Sequence, residues 1–214
     1  MWGTDQKKVH EPDVRQGRGP FWFEGDPGRR RIALDSLART LQELDFTAVV
    51  VVIRCREYLA ELGKQAMDIT LPEHPYHMAL DFLSERLVLT LDSEFDGAIG
   101  RVIAESRGPL ENAQLQHEFS RLHIDGTSYI SDTWFRHQLI PGIQFATKDD
   151  YLAGLEVADL LARPCAEKVL GPTATPPRWP EFRAKLSPLQ ETAHSPLGIK
   201  VVPWSDDLTD FWKS

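Results

Sequence analysis

Two acids stand where a carboxylate can do chemistry. Glu105 closes the run Val102-Ile103-Ala104-Glu105-Ser106-Arg107-Gly108 at the end of an expected strand, and open α/β sheets bind ligands beyond the carboxyl ends of their strands. Asp159 lies in Leu155-Glu156-Val157-Ala158-Asp159-Leu160-Leu161, on the same expected helix face as Leu152, seven residues before it. A carboxylate on an apolar face needs an ion-pair partner, a hydrogen-bond donor or a metal, because an isolated buried charge is costly. Two such acids converging at a strand end can hold a divalent cation with hard oxygen ligands. The structural alternative is that Glu105 pairs with Arg107 or Arg101 while Asp159 caps a neighbouring element or accepts from a backbone N–H. The residues alone leave both open.

Other constellations carry less. His74 and His77 at i, i+3, with Asp81 a turn further on, resemble part of a zinc site, but no strong third ligand has the usual spacing. His10-Glu11 with Asp13, followed by Arg15-Gln16-Gly17-Arg18-Gly19, can face phosphates, since glycine lets backbone N–H groups approach closely. A solvated basic loop is the plainer reading of that run. The chain has no Gly-x-x-x-x-Gly-Lys loop, no Gly-x-Gly-x-x-Gly after a strand and no Gly-x-Ser-x-Gly elbow. Trp179, Trp204 and Trp212 read as packing anchors of a Pro-rich tail.

These residues need elements to position them. Positions 1–30 carry no sustained periodicity, and Phe21-Trp22-Phe23 reads as an edge strand or a packing anchor. Leu34, Leu37, Leu41 and Leu44 predict a helix over 30–44. The β-branched run over 47–53 predicts a central strand covered on both faces. A short helix over 56–63 follows. A long helix then opens at Pro72-Glu73-His74-Pro75, with Tyr76, Leu80, Leu83, Leu87 and Leu91 on one face. A strand over 98–105 completes a strand–helix–strand unit, which a right-handed crossover makes parallel. Pro109 starts a helix with Leu115, Phe119 and Leu122 on one face. Positions 139–146 predict a strand near an edge, because they contain Pro141 and Gly142. The last strong helix runs over 150–170, with Leu152, Leu155, Asp159, Ala162 and Ala166 on one face. Seven of the 15 prolines lie between Pro172 and Pro203, so the tail reads as loop with one helical turn over 181–186 and a short strand over 199–202.

Composition fits one globular domain: 214 residues, 42% hydrophobic and 26% charged. The domain expected is 1–170, with 171–214 a Pro-rich extension packed on it. Twenty-four basic against 32 acidic residues give a net charge of −8, which does not suit a polycation that wraps nucleic acid. The bases are nevertheless concentrated at the front, seven against five acids up to Arg31. Cys55 and Cys165 lack Cys-x-x-Cys spacing, so neither a disulfide framework nor a zinc cage is expected. No run approaches a membrane helix and Met1 to Lys8 has no apolar core of a leader, so a cytoplasmic protein with no membrane partner is expected.

With those residues set out, the chain resembles a prokaryotic family, the domain of unknown function 3800. The matching pieces are Val9-His10-Glu11-Pro12-Asp13-Val14-Arg15 followed by Gly19-Pro20-Phe21, then Ala104-Glu105-Ser106-Arg107-Gly108, then Gly154-Leu155-Glu156-Val157-Ala158-Asp159-Leu160-Leu161-Ala162. The long helix bearing Tyr76-His77 is similar too. Their order and spacing, over most of residues 7–170, carry the likeness. The resemblance implies an α/β fold of ribonuclease-H-like type, with a mixed sheet flanked by helices, and a nuclease dependent on Mg²⁺ or Mn²⁺. It implies Glu105 and Asp159 as metal-binding catalytic acids and Arg107 as the cation that neutralises developing charge. His10 and Arg15 become phosphate contacts, with Lys148 as a further phosphate contact and Asp149 as a further metal ligand. Family members begin with a strand ending in Asp-Glu-Ser-Gly, and no such motif precedes His10 here. The implied site is therefore short of one acid, and sheet edges without their front strands need a cover such as a homodimer. The alternative expectation is a non-enzymatic binding or regulatory protein of a defence or mobile-element system.

Overall fold

A computed structural model of the chain describes residues 9–65, 75–187 and 198–203. They form an α/β protein with two small parallel sheets and two separate apolar cores. His74, Trp204, Trp212 and the first eight residues lie outside the described residues.

The first core begins with α1 (Glu11–Gln16), which has Pro12 in its first turn and ends at Gly17 in the left-handed conformation. Two 3₁₀ turns, Gly19–Phe21 and Phe23–Gly25, lead to α2 (Pro27–Glu43). Asp26 sets the start of α2 three residues before the expected one. Its carboxylate accepts from the N–H groups of Gly28 and Arg29, and Pro27 occupies the first turn, where no N–H is needed. β1 (Val50–Ile53) pairs in parallel with β4 (Ile199–Val202), Val50 opposite Ile199. α7 (Ala153–Leu170) and the single turn α8 (Trp179–Arg183) complete this half. Phe21, Leu41, Leu160, Cys165, Trp179 and Phe182 are among its buried residues.

The second core holds α4 (Pro75–Glu94), β2 (Gly100–Glu105), α5 (Pro109–Asp125), α6 (Asp132–Gln138) and β3 (Leu139–Ala146). β2 and β3 are parallel, with Glu105 opposite Ala146. Leu115, Phe119 and Leu122 are buried together on α5, as their spacing requires. α3 (Cys55–Gln65) follows β1 directly. The Glu94 carboxylate joins the halves, accepting from the Thr47 hydroxyl at 3.2 Å and the Ser187 hydroxyl at 3.0 Å.

Three expectations are corrected. The strands flanking the long helix do not pair: β1 bonds to β4, with Val50 N–H to Gly198 at 2.8 Å and Arg54 N–H to Val202 at 2.7 Å. The parallel crossover is instead β2–α5–α6–β3. Consequently β1 is not the centre of one mixed sheet, and the described strands form two two-stranded parallel sheets. Finally, α7 begins at Ala153 and buries Leu160, Leu161, Pro164, Cys165, Lys168 and Val169, a stripe rotated away from the expected one. Ala162 is exposed, and Leu152, Leu155 and Asp159 form a flank, half-buried, beside that core. Among the described residues no helix is long and apolar enough to cross a membrane.

Candidate acidic site between the two cores

The flank of α7 that is not core lines a cavity of about 240 Å³. Its wall includes His10 just before α1 and Asp13 of its first turn, Glu105 at the end of β2, Thr147, Lys148, Tyr151 and Leu152 between β3 and α7, and Leu155, Glu156 and Asp159 of α7. Of the residues expected from sequence, His10, Glu105, Lys148 and Asp159 therefore meet.

Asp159 has a structural partner. The first N–H groups of a helix lack intrahelical acceptors, and His10, the residue before α1, makes no side-chain cap bond. Asp159 Oδ2 accepts from the Glu11 N–H at 2.9 Å instead, and one turn earlier Glu156 Oε1 accepts from Val9 N–H at 3.3 Å. The His10 ring lies against its own helix, with Nδ1 3.4 Å from Asp13 Oδ2.

The opposite wall is looser. Glu105 Oε1 lies 3.6 Å from Lys148 Nζ, with the two side chains 42% and 46% exposed. The arginines expected to pair with Glu105 do not. Lys148 sits on a 3₁₀ turn, Lys148–Asp150, fixed by a reciprocal cap in which Asp150 Oδ2 accepts from Thr147 N–H at 2.6 Å and Thr147 Oγ1 accepts from Asp149 N–H at 3.3 Å. The next residue, Tyr151, turns the chain into α7 at φ +48°, a conformation rare for a residue with a bulky side chain.

The remaining expected residues lie outside the cavity lining. Arg107 is exposed two residues past the end of β2, its guanidinium 5.9 Å from the centroid of the Tyr76 ring. Asp149, in the middle of the capped turn, is exposed and does not line the cavity. Arg15 donates to the buried carboxylate of Glu11 at 3.0 Å, which Arg163 also approaches at 3.7 Å. The partial zinc site is likewise occupied by other pairings: His77 Nδ1 lies 3.7 Å from Glu118, and Arg121 spans both oxygens of Asp81 at 2.7 and 2.8 Å. Burial pushes the Asp81 carboxyl above its usual range while Arg121 pulls it down. Glu156, Thr147 and Tyr151 escaped sequence reasoning, while Asp13 was noted only beside His10 as a phosphate-facing neighbour. Glu156 carried a usable signal, being three residues from Asp159 and so on the same helix face.

Four carboxylates and one ammonium line the cavity, a formal charge of −3 with His10 neutral. Among the described residues no group of three His, Cys, Asp or Glu side chains is placed to hold a metal ion. The donors present are hard oxygens in net negative surroundings. This fits a cation that keeps much of its own water, as Mg²⁺ does when one or two carboxylates and a substrate phosphate hold it, better than a closed protein cage.

No protein-family model, curated protein or solved structure matches the chain.

Proposed function

We propose that this chain is a phosphodiesterase of ribonuclease-H-like type that cleaves nucleic acid with Mg²⁺ or Mn²⁺. The observation supporting the reading is the acidic cavity that gathers Glu105, Asp159, Lys148 and His10 from four separate segments. Glu105 and the Asp159 oxygen not bonded to Glu11 would hold the cation, whose chemistry there is charge stabilisation on phosphorus oxygens and activation of water. Lys148, long and half exposed, exchanges its contact with Glu105 for a phosphate oxygen when substrate enters. His10, placed by Asp13 and by α1, stands beside a second phosphate oxygen. Leu152, Leu155 and Tyr151 narrow the site and exclude bulk water. Arg107 and Asp149 have no part in this reading, since neither lines the cavity.

The test is cleavage of single- and double-stranded RNA and DNA in Mg²⁺ and in Mn²⁺, with Glu105→Gln and Asp159→Asn beside the wild type. Loss of about 100-fold or more in rate is expected from Glu105→Gln, in line with removal of an electrostatic stabiliser. Equal rates in all three proteins remove both acids from the chemistry.

One observation favours the second reading, a non-enzymatic binding protein: each acid already has a partner, Asp159 the Glu11 N–H and Glu105 the Lys148 ammonium. A bound ion raises the melting temperature by mass action. A melting temperature indifferent to millimolar Mg²⁺ and Mn²⁺, together with no cleavage, would decide for this alternative.

A further inference from the structure

The cavity lies at the first turn of α1. At the other end of the same helix, a groove of about 620 Å³ runs between Gln16-Gly17 and the start of α2, lined by Gly17, Trp22, Gly25, Arg30, Arg31 and Leu34 among others. Its character is the reverse of the cavity's. Trp22 is 62% exposed although its neighbour Phe21 is 3% exposed and Phe23 packs against the same core. Phe21 and Phe23 meet edge to face, with ring centroids 6.3 Å apart. The backbone between two anchored rings thus holds the indole outward. Gly25, at φ +75°, lies beneath it, where a Cβ would come within 3.8 Å of the Trp22 ring.

The charge around this indole is positive where it is least neutralised. Arg30 donates to the Arg15 carbonyl at 2.8 Å, and its guanidinium lies over the bare Cα of Gly17, 3.4 Å from where a Cβ would stand. Neither Arg30 nor the exposed Arg18 has a carboxylate partner among the described residues. Arg29 and Arg31 do meet Glu24, Asp26 and Asp35, at 3.5 to 3.9 Å with side chains at least half exposed, and ion pairs of that kind are weak and salt-screened. A held aromatic face flanked by arginines is the chemistry that stacks an unpaired base and tracks its phosphates.

We infer that the groove between α1 and α2 binds single-stranded nucleic acid, with a base stacked on Trp22 and the backbone running along Arg30 and Arg31. The groove and the cavity are flanked by opposite ends of α1, whose six residues span about 9 Å. The inference rests on the reading of nucleic acid as the substrate, but not on the metal chemistry.

Binding is measured by fluorescence anisotropy on labelled 15-nucleotide oligo-U and oligo-dT in EDTA, where cleavage is silent. Trp22→Ala is expected to weaken binding about tenfold, from loss of one stacked base. Arg31→Glu should weaken it and reduce the salt slope by roughly 0.7, one single-strand phosphate contact. Glu24→Lys, at a side chain 85% exposed, should tighten it several-fold. Arg39→Glu makes the same charge change as Arg31→Glu two turns further along α2 and should matter less. The inference is overturned if the wild type binds neither oligonucleotide, if Trp22→Ala and Arg31→Glu bind as the wild type does, or if only anionic phospholipid vesicles are bound. Binding that follows these variants without any Mg²⁺-dependent cleavage sinks the cavity reading and keeps the groove. Glu105-dependent cleavage by a protein whose binding ignores Trp22 does the opposite.

Discussion

On the α7 side of the acidic cavity, Asp159 and Glu156 take the backbone N–H groups of Glu11 and Val9. On the β2–β3 side, among the described residues Glu105 and Lys148 pair only with each other, across 3.6 Å, both nearly half exposed. The first wall is built into the packing of α1 on α7, and behind it lies the closed core of Leu160, Cys165 and Phe182. The second rides on a strand end and a capped turn. The difference separates two jobs that sequence motifs run together. An acid that satisfies a helix start is needed for the fold whether or not it does chemistry, while an acid paired only to an exposed lysine can exchange that partner at little cost.

The largest expected effect concerns the closed side of the α7 wall. Burial pushes the Cys165 thiol up to about 12, so its thiolate fraction at pH 8 is on the order of 10⁻⁴. In the native protein at pH 8 a thiol reagent should label exposed Cys55 promptly and Cys165 at least ~10³-fold more slowly, with the Cys165 rate climbing throughout the alkaline range. Comparable rates at both cysteines would show that this wall is open.

Asp159→Ala comes next. It strands the Glu11 N–H and should cost about 2 kcal/mol, read as a melting temperature lower by roughly 5 °C for a chain of this size. Asp159→Asn keeps an acceptor oxygen and should cost less than half of that. Gly17→Ala tests the other end of α1. At φ +65° with Arg30 at 3.4 Å, alanine should destabilise by about 1 kcal/mol in chemical denaturation. Lys148→Ala, on the looser wall, should change stability by less than ~0.5 kcal/mol. If Lys148→Ala proved as damaging as Asp159→Ala, the contrast between the walls would fail.

What the sequence disclosed follows the range of each signal. The α5 face of Leu115, Phe119 and Leu122 was legible because three residues at helical spacing define a stripe, and positions 139–146 form β3 as expected. α1 was not legible, being six residues long, too short for a periodic face, and supported by acids more than 140 positions away. Strand pairing was not legible either: a β-branched run says that positions 50–53 are extended, not that β4 rather than β2 bonds to them. On α7, small residues at positions 162 and 166 mimic an apolar stripe, so the pattern pointed to the flank that became the cavity wall. That rotation is also why Asp159 is half-buried beside the site rather than sealed within the core. His10, Glu105 and Asp159 were each marked by their local motif, Lys148 only by the family resemblance, and all four line the one cavity. Arg107 was marked by adjacency to Glu105, a cue that fails where a strand stops.

Cation binding by Glu105 is the property on which a metal-dependent cavity depends most directly. Isothermal titration of Mn²⁺ into the wild type and Glu105→Gln, both metal-free and with unchanged melting curves, is the decisive measurement. The expected result is saturable binding to the wild type that weakens at least tenfold in Glu105→Gln, since one of the two carboxylates proposed to hold the ion is gone. No binding to the wild type, or equal binding to both proteins, would contradict it.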